Sequence, residues 1–172
     1  LTEVVCTEKG DLTALRPLPP WFIINPYTDC FPAGGARRRK IWKFEGKPPM
    51  TTIYLIRHAE AEGNLYRLAH GQYNSLVTPR GYRQLTCLRR RFRDVPIDAV
   101  YGSDLFRTQA TASAVYGLKN LPFRPLPLLR EVNLGAWEGL TWTEVQRLDQ
   151  EMLVHFNREP DLFHVDGGET FD

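Results

Sequence analysis

The chain has 172 residues, 42% of them apolar and 12% aromatic, with a formal net charge of +2. That suits one globular domain with a real core, and so small a net charge argues against a general preference for nucleic acid or anionic membrane. No apolar run approaches the roughly 18 residues of a membrane span, and the start lacks a basic-then-apolar signal pattern, so no membrane partner and a cytoplasmic location are expected. Cys6, Cys30 and Cys87 are widely spaced and odd in number. They form no metal-ligand cluster and no disulfide framework, which fits a reducing compartment.

The charge is unevenly distributed, +3 over residues 1–50 and −1 over 51–172. Residues 1–49 hold seven of the 13 prolines, Gly34-Gly35 and the basic run Arg37-Arg38-Arg39-Lys40. No helical or strand period persists there, so a poorly ordered extension is expected. The basic run could contact nucleic acid, but stacking aromatics in a repeating basic groove are missing, so no nucleic-acid partner is expected. Met50 stands directly before the first strand signal, which suggests that the biological start lies there and that 1–49 is upstream sequence.

From Met50 onward strand and helix signals alternate. Ile53 to Ile56 is a short apolar run that suits a buried strand, and it delivers Arg57-His58 at its end. Gly63 to Val77, with His70-Gly71-Gln72, reads as a loop. Thr78-Pro79 is a capping hydroxyl followed by proline at the first helical position. Tyr82, Leu85, Leu88 and Phe92 then share one helix face, which should pack on the sheet. Ile97 to Tyr101 reads as a second strand, and Leu105 to Thr108 opens a helix with the thin apolar face Ala110, Ala114, Val115 and Leu118.

Phe123 to Leu129 carries Pro125 and Pro127, so any strand there is short or at an edge. Arg130-Glu131 and the glycine-bounded Gly135-Ala136-Trp137-Glu138-Gly139 follow. Thr141-x-x-Glu144 fits a capping box before a helix with Val145 and Leu148. Asp166 to Thr170 reads as a turn. The alternation predicts an α/β fold on a parallel sheet.

In a parallel sheet, strand exits converge at one end. Arg57, His58, Arg107 and Glu131 would then share one pocket. Arginines match phosphoryl oxygens, a histidine can attack phosphorus, and a carboxyl can pass a proton to the leaving oxygen.

The ordered set resembles the histidine phosphatase superfamily, also called phosphoglycerate mutase-like, in its broad-specificity phosphatase branch. Leu55-Ile56-Arg57-His58-Ala59-Glu60 resembles that family's Arg-His-Gly-Glu signature. Ser103-Asp104-Leu105-x-Arg107-Thr108 resembles its second motif, and Leu129-Arg130-Glu131 with Gly135-x-Trp137-Glu138-Gly139 its third. Gly168-Glu169-Thr170 resembles its Gly-Glu-Ser turn. The resemblance implies a three-layer α/β/α phosphoglycerate mutase-like fold over residues 50–172. It implies His58 as nucleophile and Glu131 as proton donor and acceptor. Arg57, Asn64 and Arg107 would bind phosphate, and His70, Gly71 and Gln72 would meet the substrate.

The activity implied is a phosphomonoesterase acting through phosphohistidine on a small phosphorylated metabolite, with no metal or other cofactor. A mutase that returns the phosphoryl group to a sugar acid is an alternative. So is a non-catalytic remnant that keeps a phosphate cradle. Ala59 replaces the family's glycine, which requires a negative φ there. The family also has a second catalytic histidine on a later strand, which His155 and His164 do not match in order. A C-terminally truncated domain is therefore expected, with weak or no turnover and an unpaired edge beside the nucleophile strand.

Overall fold

The structure is a computed structural model that describes residues 52–171, together with the backbone of 3–8 and 23–24. The basic run and Met50 lie outside the described residues. Five strands form one sheet: β1 (Glu3–Glu8), β2 (Ile23–Ile24), β3 (Thr52–Arg57), β4 (Ala99–Gly102) and β5 (Phe123–Pro125), in the order β2-β3-β1-β4-β5. β2 runs parallel to β3 and β5 parallel to β4, while β1 is antiparallel to both of its neighbours. Strands β2 to β5 therefore all point one way. The helices are α1 (Glu62–Leu65), α2 (Pro79–Arg91), α3 (Phe106–Lys119), α4 (Trp142–Leu148) and α5 (Gln150–Arg158). Among the described residues no helix is long and apolar enough to cross a membrane.

The parallel βαβα order expected from the sequence is that of β3-α2-β4-α3-β5. The structure differs at several points: helix α1 overlaps the stretch read as a loop, α5 is an added helix, and antiparallel β1 makes the sheet mixed. Segments 3–8 and 23–24, inside the stretch read as poorly ordered, are strands. The strand that carries His58 also has partners on both edges: β1 pairs along the whole of one, from Glu3 opposite Arg57 to Glu8 opposite Thr52, and β2 pairs the other at Leu55 and Ile56. The physical reason is general: a central strand with open N–H and C=O groups accepts any extended segment that can satisfy them.

Local chemistry explains where α2, α3 and α4 begin and end. Thr78 caps α2 by accepting from the Gly81 N–H at 3.0 Å, with Pro79 in its first turn. Asn120 closes α3 in the left-handed conformation. Thr141 and Glu144 form a reciprocal capping box at the start of α4.

Two apolar clusters result. The first joins the sheet to α2 and α3 through Ile56, Leu85, Leu88, Phe92, Val100 and Val115. The second gathers Trp137, Val145 and Phe163 with Trp142 and Phe156 against it. Tyr82 does not join the first cluster as its spacing predicts. It is 52% exposed, whereas Phe92 is 1% exposed. Leu148, expected on the buried face of α4, is 74% exposed. Both stand at the margin of an apolar stripe whose centre is already filled by Leu85 and Leu88, or by Val145.

Phe92→Ala should therefore lower stability by about 3–5 kcal/mol. Tyr82→Ala should shift it by no more than roughly 0.5 kcal/mol. Urea titration of both variants checks this, and equal losses would contradict the packing described.

Candidate active site

Strand β3 ends by delivering His58 into the interior, where it is 4% exposed. Its Nδ1 lies 2.7 Å from the carbonyl oxygen of Ala59. A carbonyl only accepts, so Nδ1 carries the proton and Nε2 keeps its lone pair. Ala59 itself is buried, and its N–H donates to Thr111 Oγ1 at 2.9 Å on α3. Its φ is not positive, so the alanine that replaces the family's glycine is unstrained. Glu60, the acid of the same motif, serves α2. One carboxylate oxygen accepts from Thr78 Oγ1 at 2.7 Å, the other pairs with Arg80 at 3.5 Å, and the Glu60 N–H donates to Gln84.

A cavity of about 450 Å³ opens beside His58. Arg57, His58, Asn64, His70, Arg107 and Glu131 line its polar end, and Gly71 also borders it. The structure thus brings together every residue singled out from the sequence except Gln72. That side chain instead bridges the Glu131 carbonyl at 3.3 Å, Glu169 at 3.4 Å and Arg130 at 3.2 Å.

His70 faces His58 edge-on, with ring centroids 5.8 Å apart. Asn64 spends its Oδ1 on the Ala61 N–H, so its amide nitrogen donates to His70 Nε2 at 3.1 Å. That leaves the proton of His70 on Nδ1, a buried atom with no hydrogen-bond partner. A side chain at Gly63 would collide with this ring, its Cβ lying 2.3 Å from His70 Cγ.

Arg107 is wholly buried. Its Nη1 donates to the Tyr73 carbonyl at 2.8 Å, and its Nη2 to those of His70 and Gly71 at 3.1 and 2.6 Å. Glu138 holds the same loop from the other side. Its carboxylate accepts from the N–H groups of Gln72, Tyr73 and Leu134 at 2.7, 2.8 and 2.9 Å. Gly71 passes so close that an added Cβ would lie 1.9 Å from the Val132 carbonyl. Arg130 forms a two-pronged pair with Asp104, at 2.6 and 2.5 Å, next to the residue that turns Glu131 to the cavity.

Burial pushes the His58 imidazole down to about 3, with the charges of Arg107, His70 and Arg57 adding to the effect. Burial and Arg107 push His70 down to about 4. Both rings are neutral near pH 7. A neutral, oriented imidazole between guanidinium groups can attack an electrophilic centre that carries negative charge.

Some site residues escaped the sequence reading. Glu138 was visible only as part of a motif, although an acid between glycines in a loop is a recognisable signal for a carboxylate that caps amides. Arg67, Trp142 and Phe156 line the cavity on its far side. Trp142 and Phe156 look like ordinary apolar helix positions, and nothing in their spacing distinguishes them.

A family model, the histidine phosphatase superfamily (branch 1), matches residues 53–172. A phosphoserine phosphatase of Hydrogenobacter thermophilus is 31% identical over 125 residues, covering 70% of this chain and 57% of the relative. The solved structure of YhfR from Bacillus stearothermophilus superposes with a TM-score of 0.64 at 34% identity, over 67% of this chain and 57% of that one. The α-ribazole phosphatase from Shigella flexneri does so with a TM-score of 0.62 at 31% identity, over the same shares.

The fold is that of a phosphoglycerate mutase-like α/β protein. The chain belongs to the histidine phosphatase superfamily, and it spans 42% to 57% of the length of the curated relatives it matches.

Two outcomes follow from this geometry. Glu138→Ala should cost about 2–4 kcal/mol, because three N–H groups lose a charged acceptor; a urea midpoint unchanged from the parent protein would contradict it. The two depressed histidines also set a pH dependence. Between about 6.5 and the folded-state values, the unfolded chain binds protons that the folded chain does not. Stability therefore rises with pH in that window, and it is lost on acidification from about 6.5 toward 4 by up to roughly 1.4 kcal/mol per pH unit for each ring. Replacing His70 with Gln should flatten this slope in urea titrations at several pH values.

Proposed function

We propose that the protein is a phosphomonoesterase that works through a phosphohistidine at His58 and takes small phosphorylated substrates. The observation that carries this reading is the His58 Nδ1 bond to the Ala59 carbonyl, which leaves Nε2 as the free nucleophile in a cationic cavity. Relatives named as phosphatases support it.

In the first step Nε2 attacks phosphorus in line, the P–N bond forms and the ester P–O bond breaks. Glu131 takes up a proton as the phosphate dianion enters beside it and passes that proton to the departing alkoxide oxygen. In the second step Glu131 takes a proton from water, the water oxygen attacks phosphorus, and the P–N bond breaks to release phosphate.

Arg57 and Asn64 sit where they can meet phosphoryl oxygens. Arg107 contributes chiefly its charge, because its Nη atoms are committed to the loop carbonyls. Gly71 gives the loop its close approach, and Gln72 acts by positioning Glu131 and Arg130.

Incubation with a radiolabelled aryl phosphate and rapid quenching should yield an acid-labile, alkali-stable label on the protein. The label should be absent in His58→Ala. It should accumulate in Glu131→Gln, because hydrolysis of the intermediate loses its base. Arg57→Ala should slow labelling by about 10²–10³. Label in His58→Ala would sink the proposal. Transfer of the phosphoryl group to a second hydroxyl, in place of release as inorganic phosphate, would favour a mutase.

A further inference from the structure

The cavity beside His58 is chemically lopsided. Its lining is cationic and hydrogen-bonding around His58, but much of the rest is carbon: Leu68, Val132, Leu134, Trp142, Phe156 and Phe171. Its volume of about 450 Å³ falls among pockets that hold drug-sized ligands, roughly 300–1,000 Å³, and far exceeds the needs of a phosphate alone.

A second cavity, of about 350 Å³, shares Arg67, Trp142 and Phe156 with the first. These three border both cavities, and Thr143 and Gln146 add polar groups to the lining of the second.

Two features separate this wall from ordinary core. Within one aromatic cluster Trp137 and Phe163 are 3% and 1% exposed. Trp142 and Phe156 are only half-buried, lie tilted at 32° to each other with centroids 5.6 Å apart, and each borders both cavities. Arg67 between them adopts a left-handed backbone with φ of 55°, which L-residues with a side chain disfavour. The Trp142 N–H holds it there by donating to the Arg67 carbonyl at 3.0 Å. Among the described residues the Arg67 side chain has no ion pair.

We infer that the alcohol half of the substrate is bulky and aromatic or otherwise apolar, and that it lies along the Trp142–Phe156 wall toward the second cavity. This rests on the phosphomonoesterase reading of the same site. A polyol or sugar acid placed there would leave its hydroxyls facing carbon, with their hydrogen bonds to water unreplaced. An aromatic ring instead gains contact with the half-buried side chains of Trp142 and Phe156 and with the planar guanidinium of Arg67.

The test compares two non-hydrolysable phosphonates on the unmodified 172-residue chain, 1-naphthylmethylphosphonate and 2,3-dihydroxypropylphosphonate, by calorimetry and tryptophan fluorescence. The aryl compound should bind about tenfold or more tightly. Trp142→Ala should narrow that ratio by roughly 3- to 10-fold, and Phe156→Leu, which keeps the apolar volume without the ring, should narrow it in the same direction.

Equal affinities, a preference for the dihydroxypropyl compound, or a ratio that survives both variants would overturn this inference and leave the phosphatase reading standing. Aryl preference without any phosphohistidine at His58 would do the reverse. If neither phosphonate binds, and inorganic phosphate does not bind either, both readings fall.

Discussion

The loop from His70 to Tyr73 is gripped from both sides by opposite charges, and the site depends on that grip. Peptide groups present carbonyls one way and amides the other. Arg107 donates to the carbonyls of residues 70, 71 and 73, while Glu138 accepts from the amides of residues 72 and 73. Neither charge could be buried alone without a large desolvation penalty. Each is offset by backbone dipoles of the opposite sense and by the other's field, since the charge of Glu138 helps to keep Arg107 protonated. One irregular segment is thereby held from both sides. His70 keeps its edge toward His58, and Gly71 keeps its close pass beneath Val132.

The same economy runs through the rest of the site. Motif residues that appear to be chemical groups are often scaffolding. Glu60 ties the turn after His58 to the start of α2, Asp104 holds Arg130 beside Glu131, and Thr111 fixes the Ala59 amide. The His58 imidazole is set by position alone. Its tautomer comes from a carbonyl one residue away, and its neutrality comes from burial beside guanidinium groups.

The sheet places these groups at one end, but its own make-up was only partly legible. Ile53 to Ile56, the Thr78-Pro79 cap and the proline-bearing edge strand could each be read from local chemistry, because each depends on neighbours within a few residues. The pairing of Glu3–Glu8 on both β3 and β4 could not be read in this way. Strand pairing across some fifty residues is decided by which open edge needs hydrogen bonds, and local pattern does not report that. Tyr82 failed for a related reason: periodicity marks a helix face, but the width of the contact decides which margin of that face stays wet.

By itself the sequence determined the family, the order β3-α2-β4-α3-β5-α4, and the candidates His58, Arg57, Arg107 and Glu131. Those follow from short motifs, whose chemistry lies in residue type and spacing. Only the tertiary structure decided what each group does. Arg107 spends its Nη donors on a loop and Gln72 faces away from the cavity, while Arg67, Trp142 and Phe156 form its far wall. Those roles depend on which atoms lie within about 3 Å after the chain has closed on itself, a distance set by packing between segments far apart in the chain.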